Sequence, residues 1–267
     1  MAYASNDGVQ LYYEIDGDDN ADTEGTTVFI GDLGYGAWQW GWQYPAVAGE
    51  YTAIVPELRG TGRSDSPAGP YSVSTFIDDL MIVLADAEVT SVHLVGAGLG
   101  GMIGLAIARQ HARVTSLTVI GTAPAATMRK QNADADLETL WAPPTDRESL
   151  TESVEAAVSS SFSHRHPDVI DRIVEWRVDE DASRPAWESQ VAAIHEFDLT
   201  DCLYEITVPT LVIHGMADTV WPPTAAKQLA MELPRGEWAP IEDAGHLVHA
   251  EASRVVNDTL IGFLTDH

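Results

Sequence analysis

Apolar and polar positions along the chain form short apolar runs separated by stretches of helical periodicity. Short runs rich in β-branched residues predict buried strands, at 9–15, 26–30, 52–55, 91–95, 116–120, 210–213 and 237–241. Apolar residues at helical spacing predict helices, at 73–87, 102–111, 223–233 and 252–264. Strands that alternate with helices indicate the α/β class, with a mostly parallel central sheet flanked by helices.

The interval 125–207 breaks this alternation. It has no strand-like run and is rich in charged residues, and it predicts helical pieces at 138–141, 147–160, 167–178 and 184–197. Because the chain leaves after one predicted strand and returns at the next, we expect a helical lid above the sheet edge where α/β proteins bind ligands. The core then comprises 1–124 and 208–267. A separate helical domain is the alternative, but no Gly/Ser-rich linker flanks the interval.

Length and composition exclude several classes of protein. The chain has 267 residues, of which 45% are hydrophobic, as expected of a globular α/β domain. No apolar run approaches the roughly 20 residues that span a bilayer, and the N-terminal segment lacks the features of a signal peptide. We therefore expect a cytoplasmic protein. Cys202 is the only cysteine, which excludes an intrachain disulfide and zinc sites built on paired cysteines.

Charge is the most unusual bulk property of the sequence. The chain has 41 acidic and 14 basic residues, a formal net charge of −27, and only Lys130 and Lys227 are lysines. The scattered carboxylates indicate a solvated acidic surface, so we expect neither nucleic acid nor a membrane as a partner. Salt screens the self-repulsion of such a surface, which leads to the hypothesis of a salt-loving host. An acidic protein from an ordinary cytoplasm is the alternative.

A glycine-rich segment, GAGLGG at 96–101, follows the fourth predicted strand. It fits the dinucleotide fingerprint G-x-G-x-x-G, but that fingerprint belongs to a first βα turn and expects an acidic residue about 20 positions later. Here several strands precede the segment, and the corresponding strand end carries Gly121 and Thr122. The nucleophile elbow G-x-S-x-G fits better. In that register glycine, as Gly98, replaces the serine.

Three further segments resemble landmarks of the α/β-hydrolase superfamily. The segment 51–65, YTAIVPELRGTGRSD, is similar to the strand and turn before the elbow, 209–218, PTLVIHGMAD, to the strand and acid turn, and 245–251, GHLVHAE, to the histidine loop. They follow the family's order of nucleophile, acid and histidine. The chain most resembles the lidded enol-lactonase, dehalogenase and perhydrolase-like members, which implies an α/β-hydrolase fold with an inserted helical lid.

The resemblance also implies roles for three residues. Gly98 stands at the nucleophile position, Asp218 at that of the orienting acid and His246 at that of the base. A carboxylate bound to one imidazole nitrogen fixes the tautomer and leaves the other nitrogen to accept a proton. We therefore expect His246 to lie within hydrogen-bond distance of Asp218. A loop histidine without a catalytic role is the alternative.

The expected oxyanion region departs from the family as well. Where the family usually has His-Gly, this sequence has Gly31 and Asp32, and a carboxylate at this place opposes acyl transfer because negative charge develops there. The residues expected to line the oxyanion and substrate region are Gly31, Asp32, Leu33, Trp38, Leu99 and Trp221. We place Trp221 at a rim that faces the pocket.

These departures predict a hydrolase-type enzyme that acts on a small molecule without forming a serine ester. Gly98 would leave room for a water or a substrate atom, and His246 backed by Asp218 would activate water or abstract a substrate proton. Lyase, isomerase and cofactor-free oxygenase chemistry also fit such a site. The alternatives are a ligand-binding pseudoenzyme and an inactivated Ser-to-Gly variant of a serine esterase or lactonase. We expect no cofactor and no metal, and a surface or lid role for His249.

The net charge generates a first test. We expect the melting temperature to rise substantially between 0.1 M and 1 M KCl, because the Debye length falls from about 10 Å to about 3 Å and screens the carboxylates. Thermal denaturation across this range measures the effect. An unchanged melting temperature would remove the hypothesis of a salt-loving host.

Overall fold

The computed structural model describes residues 2–17, 24–128 and 137–267. Within these residues it contains an eight-stranded sheet in the order β1-β2-β4-β3-β5-β6-β7-β8. The first two strands run antiparallel to their neighbours, and the other strands are parallel. The strands are β1 (Ala2–Asn6), β2 (Val9–Asp16), β3 (Thr26–Ile30), β4 (Thr52–Pro56), β5 (Val92–Ala97), β6 (Val114–Ile120), β7 (Thr210–Gly215) and β8 (Gly236–Ile241).

Helices of the described residues connect most of the parallel strands, and four of them lie between β6 and β7. The helices are α1 (Tyr44–Val47), α2 (Val73–Asp86), α3 (Leu99–Gln110), α4 (Arg147–Ala157), α5 (Ser160–Arg165), α6 (Pro167–Glu180), α7 (Arg184–His195), α8 (Pro223–Glu232), α9 (Val248–Glu251) and α10 (Ser253–Thr265). Short 3₁₀ helices occupy Ala37–Trp40, Ala126–Met128 and Thr200–Glu205. The predicted α/β architecture is therefore confirmed. No helix in the described part of the chain is long and apolar enough to cross a membrane.

The core lies on both faces of the sheet because successive side chains of a strand point to opposite sides. In β3, Val28 and Ile30 belong to the larger apolar cluster, together with buried residues of α2, α3 and α8. Phe29, between them, belongs to a second cluster with residues of α10. Burial on both faces explains why the central strands read as continuous apolar runs in the sequence.

The strand β1 was missed by the sequence pattern. It pairs with β2 in a register that sets Ala4 opposite Leu11. Of its five residues only Ala4 is buried, so the segment carries little of the apolar signal on which strand prediction depends. The prediction of a single helix over 147–160 was also wrong. The helix α4 ends early, and the side chain of Ser159 accepts a hydrogen bond from the Phe162 N–H at the start of α5.

The turn between β5 and α3 consists of Gly98 alone, so α3 begins before the predicted start at residue 102. Gly98 has φ 46° and ψ −111°, a backbone conformation that side chains oppose. The turn also needs small neighbours, because a Cβ atom at Gly96 would lie 2.3 Å from the carbonyl oxygen of Gly100. A Cβ atom at Gly100 would lie 2.1 Å from the carbonyl oxygen of Ile30. The glycines therefore permit the sharp elbow predicted from the sequence.

The interval between β6 and β7 is helical in its described part, which contains α4 to α7. The start of the interval pairs with a residue near its end: Ala125 and Asp198 form an isolated antiparallel bridge. One helix of the interval covers the loop after β3, where Gln190 of α7 accepts a hydrogen bond of 2.8 Å from the Gly34 N–H. A Cβ atom at Gly34 would lie 2.7 Å from the Trp187 ring. That the interval acts as a lid stays a prediction.

The elbow geometry generates a second test. Gly100→Ala should lower the free energy of unfolding by about 1–3 kcal/mol, because its Cβ atom would overlap the backbone of β3. Gly262→Ala is the control: this glycine lies in α10 with no atom within 4 Å of an added Cβ, and alanine should stabilise the helix by about 0.5–1 kcal/mol. Urea denaturation at one fixed salt concentration measures both, and equal stabilities for the two variants would contradict the packing described.

Candidate active site

Four loops meet at the edge of the sheet where its parallel strands end. Asp32 follows β3, Gly98 follows β5, Asp218 follows β7 and His246 follows β8. The carboxyl ends of parallel strands lie at one edge, so residues distant in sequence converge there. The three titratable side chains are almost completely buried, with exposed fractions of 3% for Asp32, 4% for Asp218 and 3% for His246.

The predicted contact between Asp218 and His246 is present. Asp218 Oδ2 lies 2.9 Å from His246 Nδ1. The other oxygen of Asp218 accepts hydrogen bonds from the N–H groups of Val220, at 2.8 Å, and Trp221, at 3.0 Å. His214 Nε2 lies 3.3 Å from Asp218 Oδ2, a second histidine beside this carboxylate that the sequence analysis did not single out. Asp218 is thus fixed in position on both oxygens.

Asp32 occupies the other side of the imidazole. Its Oδ2 lies 2.8 Å from His246 Nε2. Its Oδ1 accepts hydrogen bonds from the Leu33 N–H, at 2.6 Å, and the Leu99 N–H, at 2.8 Å. These two N–H groups are at the places where the resemblance implies oxyanion donors, one in the loop after β3 and one directly after the elbow. The carboxylate of Asp32 therefore fills the oxyanion site and contacts the base at the same time.

Two expectations for this site were wrong. The space beside Gly98 is not open for a water or a substrate atom, because a Cβ atom at position 98 would lie 1.8 Å from Asp32 Oδ1. The second nitrogen of His246 is not free either, since Asp32 contacts it. Both corrections have one physical reason. Two backbone N–H groups and an imidazole form a site for a negative charge, and the carboxylate of Asp32 occupies it.

The loop that carries Asp32 is held by Gln39, a residue that the sequence analysis missed. Gln39 Oε1 accepts a hydrogen bond of 3.0 Å from the Asp32 N–H, and its Nε2 donates to the Gly36 carbonyl at 3.1 Å. A Cβ atom at Gly31 would lie 2.8 Å from Gln39 Nε2, which explains the glycine next to Asp32. A lone buried glutamine among tryptophans gives no recognisable sequence signal.

Burial and charge act against each other at the two paired groups. Burial lowers the pKa of His246, but the charges and hydrogen bonds of Asp218 and Asp32 outweigh it and raise the pKa to about 10. Burial raises the pKa of Asp32, yet His246 and the N–H groups of Leu99 and Leu33 outweigh it and hold the pKa below its usual range. At neutral pH the site therefore contains an imidazolium between two carboxylates.

Linkage gives this arrangement a pH window. The pKa of His246 is higher in the folded chain than the ordinary value of about 6.5, so its contribution to stability is complete below that pH and is lost as the pH rises through about 10. The pKa of Asp32 is lower in the folded chain. Its contribution is therefore present above an ordinary aspartate pKa of about 3.9 and is lost in acid.

Two other residues were expected at a rim or at the surface, but both are buried. Trp221 is 1% exposed and packs in the larger apolar cluster, so it is not at a rim; its backbone N–H binds Asp218 instead. His249 is 1% exposed, with its ring 5.1 Å from the Trp40 ring, which contradicts a surface or lid role. Burial, and to a lesser extent the positive charge of His246, lowers the pKa of His249 to about 3, so His249 stays neutral.

Trp38 lies beneath the helical interval. Its backbone N–H donates to Glu180 Oε2 at 2.9 Å, and its indole Nε1 donates to Asp181 Oδ1 at 2.8 Å. Both acceptors belong to the end of α6 and the residue after it. Among the residues that the structure describes, no group of three or more His, Cys, Asp and Glu side chains has the geometry of a metal site.

Residues 31–253 match the family model described as alpha/beta hydrolase fold. The chain belongs to the α/β-hydrolase family. It is 30% identical over 265 residues to a Yersinia enterocolitica protein named "Putative carbamate hydrolase RutD", covering 95% of this chain and 92% of that protein. The Azorhizobium caulinodans protein of the same name is 29% identical over 274 residues, with 98% of each chain covered. Among solved structures, the enol-lactonase from Burkholderia xenovorans LB400 matches with a TM-score of 0.86 at 25% identity, over 99% of this chain and 100% of that one.

The contact between Asp32 and His246 generates a third test. Asp32→Asn removes one of the two negative charges beside the imidazolium, so the pKa of His246 should fall by about 1 to 3 pH units. Nitrogen-15 NMR of the histidine rings measures this: at pH 8 both ring nitrogens of His246 should be protonated in the native protein. Glu242→Gln, at an exposed position of the loop before His246, is the control and should leave the titration unchanged. A neutral imidazole at pH 8 in the native protein would contradict the contact.

Proposed function

We propose that this α/β-hydrolase family member is a hydrolase of small molecules that works without a serine nucleophile. The observation that carries the proposal is the placement of Asp32, which has one oxygen on the N–H groups of Leu33 and Leu99 and the other on His246. Asp32 supplies the nucleophilic oxygen, and His246 paired with Asp218 supplies the base. The names of the relatives support hydrolysis as the type of reaction.

The resting site favours nucleophilic attack over direct activation of water. His246 is protonated because its pKa is raised, so it has no lone pair to accept a proton. Asp32 has a lowered pKa, which makes it a weak base. A carboxylate oxygen nevertheless attacks carbon when it is held next to an electrophile, as nucleophilic carboxylates do in other hydrolases.

In the first step, Asp32 Oδ2 forms an ester bond to a substrate carbon as the bond from that carbon to its leaving group breaks. An alkoxide leaving group, as from an epoxide, takes the proton from His246 Nε2, whereas a halide leaves as the anion and the proton of His246 passes to solvent as its pKa falls. The ester of Asp32 is uncharged, so the imidazole loses one of the two carboxylates that held its proton. The pKa of His246 therefore falls, and its imidazole becomes a base only after the first step.

In the second step, neutral His246 takes a proton from water while its Nδ1 remains bonded to Asp218. The hydroxide attacks Asp32 Cγ, and the negative charge develops on Oδ1, which already lies 2.6 Å and 2.8 Å from the Leu33 and Leu99 nitrogens. The alcohol leaves with the proton from His246, and the new carboxylic acid returns its own proton to the imidazole. The balance is R–X + H₂O → R–OH + H⁺ + X⁻ for a halide; for an epoxide the leaving oxygen stays attached to the substrate, so the addition of one water gives a diol.

The filled oxyanion site also favours one class of substrate. Because Asp32 Oδ1 holds both N–H donors, a substrate carbonyl oxygen has no donors to bind. This arrangement favours compounds that react at a saturated carbon, such as alkyl halides and epoxides, over esters and lactones. The relatives named for a carbamate or an enol-lactone have substrates that react at a carbonyl, so the contact of Asp32 argues against assigning those substrates to this chain.

A ligand-binding protein without turnover is the second candidate. It is favoured by the same contacts, since each oxygen of Asp32 has a partner and the whole site is buried. The third alternative, a serine enzyme inactivated by a single Ser-to-Gly change, is disfavoured. A serine Cβ at position 98 would overlap the Asp32 carboxylate, so residue 32 would have to differ as well.

The covalent intermediate generates a fourth test. His246→Gln keeps the nucleophile but removes both the proton donor of the first step and the base of the second. Bromide leaves without a proton, so with 1-bromobutane an alkyl ester should still accumulate on Asp32 to about one equivalent per chain. The variant is incubated with 1-bromobutane and analysed by intact-protein mass spectrometry and peptide mapping. The double variant Asp32→Asn/His246→Gln is the matched control and should gain no mass.

Three outcomes would oppose the proposal in different ways. Modification at a residue other than Asp32 would show that Asp32 is not the nucleophile. Absence of any adduct in a folded His246→Gln protein, together with no turnover by the native protein, would favour the ligand-binding candidate. Adducts that form only with p-nitrophenyl acetate would contradict the preference for saturated carbon.

A further inference from the structure

A cavity separate from the candidate active site lies between α6 and the core. Its volume is about 220 Å³, room for roughly seven water molecules at their volume in the liquid. It is bordered by the segment that follows Asp32, by the C-terminal part of β4 and by α6. None of Asp32, Gly98, Asp218 and His246 lines it, so this cavity is distinct from the site described above.

Aromatic side chains form much of its wall. They are Trp38, Trp40, Tyr44 and Trp176. Several of these rings are held in place by other parts of the chain. Trp38 is bound through its indole N–H to Asp181, Trp40 lies 5.2 Å from the Phe29 ring, and Trp176 meets Trp42 edge to face at 5.8 Å. The wall is therefore formed before any ligand arrives, which lowers the entropy cost of binding.

The charged groups of the wall leave an excess of negative charge. Glu14 and Glu180 line the cavity together with Arg63. The Arg63 guanidinium is already paired, since its Nη2 lies 2.6 Å from Glu57 Oε1 and its Nη1 lies 3.1 Å from Glu14 Oε1. The guanidinium also lies 3.7 Å from the centre of the Tyr12 ring.

Glu180 is the carboxylate of the wall whose oxygens are not in a salt bridge with any described residue, although the charge of Arg63 acts on it from a distance. It is half-buried, and one of its oxygens accepts the Trp38 N–H. In the described part of the chain it forms no salt bridge. Burial raises the pKa of Glu180 above its usual range, and the Glu57 carboxylate adds to the rise, although the Trp38 hydrogen bond and the charge of Arg63 oppose it. A cation placed in the cavity would relieve the effects of burial and of Glu57.

We propose that this cavity binds a small organic cation, of the quaternary or methylated ammonium class. Aromatic faces attract a cation through their quadrupole, and methyl groups on the nitrogen match the apolar character of indole. Glu180 supplies the counter-charge, since Glu14 is paired with Arg63. An inorganic cation needs several oxygen ligands, whereas this wall consists largely of aromatic residues with few carboxylates, so its composition favours the organic cation.

The test uses tetramethylammonium chloride as the probe and the full-length protein. Binding is followed through the tryptophan indole N–H signals in NMR spectra, at constant ionic strength with the probe replacing NaCl. Tetramethylammonium should shift these signals saturably, with the largest changes at Trp176 and Trp40. Glu180→Gln, which keeps an acceptor for the Trp38 N–H, and Trp176→Leu should each weaken binding by about fivefold or more.

The control variant is Glu175→Gln on the same helix. The side chain of Glu175 is 67% exposed and lies on the surface of α6, so this change removes the same charge outside the cavity and should alter binding by less than about twofold. The neutral isostere tert-butanol should bind far more weakly. Equal binding of tert-butanol, the absence of saturation, or equal effects of Glu175→Gln and Glu180→Gln would overturn the proposal.

Discussion

The rest of the site depends on one interaction, the imidazolium of His246 between the carboxylates of Asp218 and Asp32. The contacts on its two nitrogens, at 2.9 Å and 2.8 Å, connect loops that follow three different strands. In low-dielectric surroundings each of these charges alone would be costly, whereas a fully hydrogen-bonded set is tolerated. The Asp32 carboxylate reaches this position for two reasons. Gly98 has no side chain and leaves space for it, and Gln39 holds the loop that carries it.

This interaction changes what the fold can do. In a serine enzyme of this architecture the two N–H donors wait for charge that develops on the substrate. Here the donors already bind a negative charge that belongs to the chain, next to a histidine that cannot accept a proton. The charge distribution of this site therefore resembles that of a serine enzyme with a bound tetrahedral intermediate. In the proposed mechanism, loss of the charge of Asp32 releases His246 to act as a base, so the order of the steps follows from electrostatics.

Much of this could be predicted from the sequence, and the part that could not has a physical reason. Apolar runs and turn residues predicted the central strands, and the order of the elbow, acid and histidine segments predicted which loops converge. The sequence also indicated that Asp32 opposes acyl transfer. It did not reveal that this side chain turns toward His246, because side-chain direction depends on contacts such as those of Gln39 and Leu99. The strand β1 and the buried state of His249 were missed because short, mixed segments carry no periodic signal.

The most direct test of this charged triad is a neutron crystal structure of the native protein at pH 7, which locates protons as well as heavy atoms. We expect Asp32 Oδ1 within hydrogen-bond distance of the Leu33 and Leu99 nitrogens, and a proton on each nitrogen of His246. An Asp32 side chain turned away from the donors, with water in its place and an unprotonated Nε2 on His246, would contradict it.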